Sequence, residues 1–587
     1  MRSIVSAGAR AAGSALGLCG LTLASFGCGG RPAPADLVIR HARAFTAGET
    51  RPWAEAVAVR DGRIVEVGAD TAMGPLIGPG TRVIDAAGRL VLPGFIDSHN
   101  HISFGDDPDV VRLGEARSFG DLLDRIRAFA AARPDLEWIE GDGWNYSVLP
   151  GGRLPTAADL EGLTGGRPAF LVSYDVHMVW LNREALDRIG VQRSTQRLPF
   201  GNVARDARTG APTGLLEDFA TLGLSEEGQA ALGVVIPSYA PQRRYAALRR
   251  NLEAAARFGI TTVVEPQAYL SDLPMYARAR DEGILRSRLQ IALFHRRGTG
   301  AADLDRFAEA MRRFDDDRLR VAAIKLYIDD VIEPHTAAML ESYSDRPGER
   351  GDTLYPPEEF AQVVTGLDRR GFQLFIHAIG DRGIRVALDA LQRARDANGA
   401  RDSRHQLVHV ECIEPSDVPR FHALGVVACM QPRHCAPDIT GQWARSVGPD
   451  RSRHAWAFRS LHEADAVLAF ASDWNVAEMD PMAGLYTALT RRGLDGQPAG
   501  GWIPEQTIDL ETALRAYTIQ GAWANHLEAS RGSLAPGKYA DIVMLDRDLF
   551  SVPPEEILKA RAVLTLVGGE EVWRDVTAIA GAASRRR

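Results

Sequence analysis

Cysteine is scarce in this chain, with five residues among 587. Two of them, Cys19 and Cys28, fall in the N-terminal segment. So few cysteines cannot form a disulfide framework in a chain of this length. We therefore expect Cys412, Cys429 and Cys435, which lie in or just beyond apolar segments, to be buried free thiols.

A basic block is also absent. The chain has 68 basic and 76 acidic residues, a net charge of −8 and a pI near 6.0, and its charges are scattered. This excludes the usual signature of a nucleic-acid-binding protein. The sequence also lacks a Gly-x-Ser-x-Gly elbow, a Walker loop and a dinucleotide fingerprint. Because 45% of the residues are hydrophobic, we expect a globular protein with a large core and a small-molecule site.

Residues 1–28 have the pattern of an export signal. Arg2 and Arg10 precede an apolar stretch of small residues, Ala11 to Gly27, that contains no acidic residue. The stretch leads into Cys28-Gly29-Gly30, which resembles a bacterial lipoprotein cleavage box, although Ser25 stands where that pattern usually has leucine. Lipidation at Cys28, plain secretion and an uncleaved anchor remain open. Each alternative predicts an exported bacterial protein, either periplasmic or attached to the membrane.

The rest of the chain predicts an α/β fold with three parts. Short β-type runs in residues 35–93 and 530–575 predict one composite β-sandwich domain built from both chain ends. Between them, in residues 94–529, strands alternate with amphipathic helices, which is typical of a (β/α)8 TIM barrel. The gap from about 103 to 240 is too long for a loop and predicts an inserted α+β subdomain. The eight predicted inner strands are Gly94–Asp97, Thr261–Glu265, Leu289–Phe294, Val321–Tyr327, Gln373–His377, Gln406–Glu411, Val426–Met430 and Val467–Ser472.

Several polar side chains stand at the carboxyl ends of these strands, where TIM barrels carry their active sites. The first strand leads into His99-Asn100-His101, and an extended segment points both imidazoles to one side, where they can chelate a cation. An unpaired lysine in a barrel interior is costly to bury, so an ion pair of Lys325 with Asp329 or Asp330 is the structural alternative. The residues that end strands four, five, six and eight are Lys325, His377, His409 and Asp473.

The motifs around these residues resemble those of the amidohydrolase superfamily, in the branch that includes N-substituted formamide deformylase. The matching passages are GFIDSHNH, IKLYIDD, FIHAIGD, LVHVE, ASDWNV and GSLAPGKYADIVMLD, and the resemblance spans residues 37 to 575. It implies one or two divalent ions, with Lys325 bridging two of them if its amine is carboxylated. Zinc is favoured by imidazole ligands, but manganese, iron and cobalt remain open. The implied metal ligands are His99, His101, His377, His409 and Asp473.

The same resemblance suggests roles around the metal. Asp473 is the expected general base, which takes a proton from water and returns it to the leaving nitrogen; alternatively it only orients a histidine. His177, in the insertion, is expected to donate a hydrogen bond to the substrate carbonyl, or to be structural. Trp144, Tyr327 and Trp474 are candidate substrate-binding residues, with packing as the alternative. The later histidines, His434 among them, are expected to be solvent-exposed or packing residues.

These features predict a metal-dependent hydrolase acting on a small molecule through a carbon–nitrogen bond other than a peptide bond. An N-acyl, N-formyl or cyclic amide would suit. Hydrolysis of a lactone or a phosphotriester at the same metal centre remains open, because the centre alone does not choose the bond. A non-catalytic envelope protein that binds a ligand is the alternative from another class. Such a protein would be expected to have lost metal ligands, and none is missing. The oligomeric state is open.

Overall fold

The computed structural model describes residues 33–105, 107–223 and 225–577. The predicted export segment, residues 1–28, lies outside the described residues. No helix in the described ranges is long and apolar enough to cross a bilayer. Cys412, Cys429 and Cys435 are buried and free, which confirms the prediction made for them.

The first strands are β1 (Leu37–Arg40), β2 (Arg43–Phe45), β3 (Trp53–Ala54), β4 (Ala56–Arg60), β5 (Arg63–Gly68), β6 (Arg82–Asp85) and β7 (Leu90–Pro93).

A subdomain with its own sheet is inserted after the first barrel strand, β8 (Phe95–Asp97). Its strands form one sheet in the order β13-β14-β15-β12-β11-β10-β9, with an apolar cluster on each face. The side chains of Ser118, Asn182 and Ser225 each accept a backbone N–H at the start of a helix, and these contacts fix the first turns of the three helices that follow them. The elements are β9 (Val110–Arg112), α1 (Phe119–Ala132), β10 (Ile139–Trp144), β11 (Ala169–Ser173), β12 (Val179–Leu181), α2 (Arg183–Ile189), β13 (Arg197–Leu198), β14 (Gly201–Arg205), β15 (Pro212–Glu217), α3 (Phe219–Leu222) and α4 (Glu226–Val235).

The chain then completes the barrel with alternating helices and strands. These elements are α5 (Pro241–Arg257), β16 (Ile260–Ala268), α6 (Leu273–Asp281), β17 (Arg288–Phe294), α7 (Ala301–Arg313), β18 (Leu319–Tyr327), α8 (Pro357–Arg369), β19 (Gln373–Ala378), α9 (Asp381–Asn398), β20 (Gln406–His409), α10 (Val418–Leu424), β21 (Val427–Met430), α11 (Gly441–Val447), α12 (Pro449–Ser452), α13 (Phe458–Glu463), β22 (Leu468–Phe470), α14 (Pro481–Thr490), α15 (Leu510–Ala516) and α16 (Ile519–Ala524).

The eight parallel strands are the eight that the sequence predicts, so the prediction of a (β/α)8 barrel is confirmed. They follow one another in the sheet from β8 through β16 to β22. The amide of Ser98 donates to the carbonyl of Phe470 over 3.2 Å, which brings the first and last strands together. Six strands, and the residue that follows β22, each contribute one side chain to an apolar layer inside the barrel. That layer consists of Val264, Ala292, Ala323, Phe375, Val408, Cys429 and Ala471.

Strands from the two chain ends pair in one sheet beside the barrel. The last elements are β23 (Ile542–Leu545), α17 (Pro554–Ile557), β24 (Ala562–Val567) and β25 (Glu570–Arg574). A six-stranded sheet has the order β25-β24-β23-β7-β2-β3, and a four-stranded sheet has the order β5-β4-β1-β6. Ile39 and Val57 of the smaller sheet share an apolar core with Ile542 and Leu564 of the larger one. The two sheets therefore pack as a sandwich.

A buried ion pair ties this sandwich to the barrel. Arg288, at the start of β17, donates from Nε and Nη2 to the two carboxylate oxygens of Asp541 over 2.8 and 3.0 Å. Asp541 also accepts the Gly568 amide. The relative exposure of Arg288 is 2% and that of Asp541 is 5%. Nη1 of Arg288 also donates to Oδ2 of Asp317 over 2.8 Å, so removal of Asp541 would leave the buried guanidinium with one carboxylate partner.

We expect Asp541→Ala to lower the free energy of unfolding by about 3 kcal/mol, because the buried Arg288 guanidinium loses its two hydrogen bonds to Asp541 and keeps only Asp317 as a carboxylate partner. Chemical denaturation would measure the change. Asp281→Ala is the control, since it removes an exposed partner of Arg280, and we expect a much smaller effect from it. Equal effects for the two variants would show that the buried pair does not hold the domains together.

Candidate metal centre

The His99–His101 segment is held in place by main-chain hydrogen bonds on both sides. The Asn100 amide donates to the carbonyl of Val264 in β16, and the His101 amide donates to the carbonyl of Trp474 after β22. The Asp473 amide donates to the His99 carbonyl over 2.8 Å. As a result, Nε2 of His99 and Nε2 of His101 each lie 3.4 Å from Oδ1 of Asp473. These three predicted ligands therefore converge at the barrel mouth.

Glu265, on β16, contacts the ring nitrogen of His101 that does not face Asp473. Its Oε1 lies 3.6 Å from Nδ1 of His101, and its Oε2 accepts the Tyr276 hydroxyl over 3.1 Å. A carboxylate in this position fixes which imidazole nitrogen faces the site. Glu265 is not among the predicted site residues, although it ends the second predicted strand, where the strand-end rule applies to it as well.

His409 reaches the site through an unusual backbone conformation. Val408 faces the barrel interior, and strand alternation would point the next residue the other way. His409 and Val410 instead adopt φ angles of 80° and 49°, a left-handed conformation that is unfavourable for a β-branched residue. His409 Nδ1 then lies 3.0 Å from Oε1 of Gln431 and 3.7 Å from Oδ2 of Asp473. The left-handed backbone at His409 and Val410 therefore places the His409 imidazole beside Asp473.

His434 also belongs to the site, so our interpretation of it as a solvent or packing residue is wrong. A short turn at Pro432–Cys435 follows β21 and brings the side chain back over the barrel mouth. Nε2 of His434 lies 3.7 Å from Oδ2 of Asp473, and its ring stacks on that of His409 at 6.1 Å. The turn, rather than a strand, positions His434, which is why the strand-end rule missed it.

Lys325 is fully buried, with 0% relative exposure. Its Nζ has no hydrogen-bond partner among the described residues and lies 4.7 Å above the Tyr327 ring. The predicted alternative, an ion pair with Asp329 or Asp330, is wrong. Asp329 accepts main-chain amides, while Asp330 pairs with His177. Burial lowers the pKa of Lys325 to about 8, so its amine loses a proton more readily than that of an exposed lysine.

His377 stands beside Lys325 on the neighbouring strand β19. Its ring stacks on Tyr327 with centroids 4.6 Å apart, and it lies 4.6 Å from the His409 ring. Nδ1 of His377 is 3.6 Å from Oδ1 of Asp329. All six residues predicted as metal ligands therefore lie in one cluster, which His434 joins.

The protonation of these groups suits a cation site. Burial lowers the pKa values of His99, His377 and His409 well below the usual range, so their nitrogens are free to act as ligands. Burial opposes ionisation of Asp473, but its contact with His101 and the charge attraction between them outweigh burial and lower the pKa of Asp473. The same contacts, with those from Glu265, raise the pKa of His101 to about 9 in the absence of metal, against the effect of burial.

Asp473 is shared by two groups of donor atoms that fit a divalent ion. His99, His101 and Asp473 form one group, and His409, His434 and Asp473 form the other, with all the donor atoms of a group within 4.8 Å of one another. Among the described residues, Oδ1 of Asp473 and Nε2 of His434 are buried without a hydrogen-bond partner. Buried polar atoms left unpaired in this way are costly unless something binds them. A divalent cation with a preference for imidazole would satisfy them.

A cavity opens above the metal cluster and is roofed by the insertion. The centres of water molecules can occupy about 160 Å³ of it, so it suits a small substrate. His177, from the insertion, faces this cavity and forms an ion pair with Asp330. Burial disfavours the imidazolium, but attraction to Asp330 outweighs it and raises the pKa of His177 to about 9. His177 is therefore a charged donor at neutral pH.

Only one of the three predicted substrate-binding aromatic residues lines this cavity. Tyr327 does so, and its hydroxyl donates to Gln267. Trp144 has no exposed surface and packs in the core of the insertion, with its indole N–H donating to the Leu171 carbonyl. Trp474 donates to the Phe104 carbonyl and packs against the barrel core. The last two are structural, so their predicted role in substrate binding is corrected.

Comparisons with known proteins agree on one family. A family model described as "Amidohydrolase family" matches residues 82–573. The chain is 31% identical over 557 residues to "Protein LONG AFTER FAR-RED 3" of Arabidopsis thaliana, with 92% of each chain covered. It is 27% identical over 551 residues to "N-substituted formamide deformylase" of Arthrobacter pascens, covering 91% of this chain and 97% of that protein.

The fold also matches a solved structure, that of an uncharacterized metal-dependent hydrolase from Pyrococcus horikoshii OT3. The TM-score is 0.70 at 22% sequence identity, and the match covers 88% of this chain and 99% of the other. This likeness supports the fold.

We expect His99→Ala to lower the divalent metal bound per chain, because it removes a donor that meets His101 and Asp473. Elemental mass spectrometry after dialysis would measure it. His462→Ala, which changes an exposed histidine on α13, should keep the wild-type metal content. If both variants bound metal as the wild type does, the cluster would not be the metal site.

Proposed function

The chain belongs to the amidohydrolase family, and from that premise we propose that it is a metal-dependent hydrolase of a small N-acyl or N-formyl amide. One observation carries this proposal. Four imidazoles from three separate segments, His99, His101, His409 and His434, meet the Asp473 carboxylate at the barrel mouth. The name of the relative from Arthrobacter pascens, a formamide deformylase, supports the choice of a non-peptide carbon–nitrogen bond.

We assign His99, His101 and Asp473 to hold one divalent ion, proposed to be zinc because the donors are mostly imidazoles. His377 and His409 would hold a second ion. A bound ion would polarise the substrate carbonyl and make a water molecule more acidic. Lys325 would add carbamate oxygens to the donor set once its neutral amine has added to carbon dioxide and released a proton. Its unpartnered Nζ and lowered pKa support that step.

Asp473 is proposed as the general base. Its carboxylate is ionised, because contacts with His101 lower its pKa, and its buried Oδ1 accepts no hydrogen bond from the described residues. It can therefore take a proton from the attacking water and return it to the leaving nitrogen, which departs as an amine. His177, held by Asp330, would donate a hydrogen bond to the carbonyl oxygen as negative charge develops there.

We also propose that the protein is exported, with attachment to the membrane through Cys28 as one route. The pattern of residues 1–28 supports this. An extracytoplasmic site would give the enzyme access to amides from outside the cell.

The proposed activity can be tested with metal-loaded protein on a panel of N-formyl and N-acetyl amides, with a lactone and a phosphotriester as further arms. We expect turnover of at least one amide that is lost on chelation and restored by metal. Turnover of the lactone or phosphotriester alone would reassign the bond that is cleaved. A metal-loaded protein that turns over nothing would support the ligand-binding alternative.

Asp473→Asn should lower kcat by about 10² to 10⁴, the usual contribution of a general base. The amide oxygen of asparagine can still contact the metal, so we expect much of the bound metal to remain. Steady-state kinetics with metal analysis on the same sample would measure both. Asp450→Asn, at a side chain that is 95% exposed, is the matched control. An unchanged kcat in Asp473→Asn would remove Asp473 from the role of base.

The charge on His177 predicts a pH dependence. Because Asp330 raises the pKa of His177 to about 9, kcat should fall as the pH rises through that value and the imidazolium loses its proton. Asp330→Asn removes the attraction and leaves burial, which lowers the pKa, so this alkaline decline should move toward neutral pH. The pH profiles of kcat for the two proteins would test it. A decline at the same pH in Asp330→Asn would exclude His177 as the titrating donor.

A further inference from the structure

Three acidic side chains on the cavity wall come from three different parts of the fold. Asp175 belongs to the insertion, Glu333 follows β18, and Glu411 follows β20. All three line the cavity above the metal cluster. They are close enough for Asp175 and Glu411 each to disfavour the charge on Glu333. None of these three carboxylates is among the proposed metal ligands.

The side-chain hydrogen bonds that Asp175 and Glu333 accept come from neutral hydroxyl groups. Asp175 accepts the hydroxyls of Tyr146 and Ser173, and Glu333 accepts the hydroxyl of Tyr174. None of the three forms an ion pair with a lysine or arginine among the ion pairs of the described residues, and none of the described residues that line the cavity is a lysine or arginine.

Other acids of the same cavity are compensated differently. Asp107 forms an ion pair with Arg243, and Glu140 accepts the main-chain amide of Ser238. The three-carboxylate cluster of Asp175, Glu333 and Glu411 differs from Asp107 in having no lysine or arginine partner among the described residues, although His434 approaches Glu411.

A buried oxygen of this cluster also lacks a partner. Oδ2 of Asp175 is inaccessible to solvent and accepts no hydrogen bond from the described residues, in a residue with 9% relative exposure. Glu411 is similarly buried, at 6%, and its Oε2 accepts only the indole N–H of Trp443. Burial of several carboxylates without a counter-ion is unfavourable, and binding of a cation would relieve it. The rings of Tyr174 and Trp456, which line the cavity, can add cation–π attraction.

The cluster lies close to the proposed site of bond cleavage. His434 separates them, since its Nδ1 is 3.8 Å from Oε1 of Glu411 and its Nε2 is 3.7 Å from Oδ2 of Asp473. A group bound at the cluster is therefore about one imidazole ring away from Asp473. A small molecule can span that distance with a few bonds.

We propose that Asp175, Glu333 and Glu411 bind an alkylammonium group that the substrate carries a few bonds from its scissile amide. This inference rests on the proposed function and names its substrate class: a mono-acylated diamine or a similar cationic amide. The same cluster would disfavour amides that carry a carboxylate in this position, because the acidic side chains would repel it.

The first test compares two amides of equal size, N-(4-aminobutyl)acetamide and N-pentylacetamide, which differ by an ammonium group in place of a methyl group. We expect the wild-type enzyme to prefer the cationic amide in kcat/KM by at least about tenfold, the usual effect of a hydrogen bond to a charged group. Glu333→Gln should reduce that ratio by at least about tenfold. Glu341→Gln, an exposed glutamate farther along the same loop, should keep it. A ratio near one in the wild type would overturn the proposal.

The second test does not depend on turnover. Calorimetric titration of metal-loaded protein with pentylammonium chloride should show binding that weakens at least about tenfold in Glu333→Gln, while 1-pentanol should bind far more weakly to the wild type. If this holds and no amide is hydrolysed, the cation site stands and the proposed reaction fails. If amides are hydrolysed but the alcohol binds as well as the ammonium, the cation site fails. Loss of one metal equivalent in Glu333→Gln would assign the cluster to a metal ion and would also overturn the proposal.

Discussion

The Asp473 carboxylate is the constraint on which the site depends. His99 and His101 approach one of its oxygens, while His409 and His434 approach the other. A buried carboxylate is costly unless positive charge or hydrogen bonds stabilise it. The four imidazoles can do so only by converging, and a metal ion between them would do so more strongly. In the proposed mechanism the same carboxylate is both a metal ligand and the proton acceptor.

Closure of the barrel keeps this carboxylate in place. Asp97, at the end of β8, accepts both the amide and the hydroxyl of Ser472 over 2.9 and 2.6 Å. Asp473 then follows with a φ of 56°, a left-handed conformation that an aspartate tolerates better than a β-branched residue does. The first and last strands are thus joined by side chains as well as by main-chain bonds. Asp97 and Ser472, which lie close in sequence to the predicted site residues, therefore also help to close the barrel.

Much of this arrangement could be predicted from the sequence because it follows from periodicity. Eight apolar runs alternating with amphipathic helices define the barrel, and polar residues at the strand ends then meet at one face. The strand-end rule did not predict His434, because this residue lies on a turn rather than at the end of a strand. Trp144 was misjudged because an aromatic residue in an inserted domain can face either its own core or the cavity, and the sequence does not distinguish them. The sequence left an ion pair of Lys325 with Asp329 or Asp330 open as the alternative to a metal-binding role, because it does not show that Asp329 accepts main-chain amides and that Asp330 pairs with His177.

The most direct test of the account is the location of bound metal in a crystal of zinc-loaded protein, measured by anomalous scattering at the zinc edge. The account predicts an anomalous peak at bonding distance, about 2.0 to 2.2 Å, from an Asp473 oxygen and from nitrogens of His99 and His101. A second peak near His377 and His409, with density added to Lys325, would establish the two-ion form. Zinc bound elsewhere, with Asp473 turned away from it, would contradict the account.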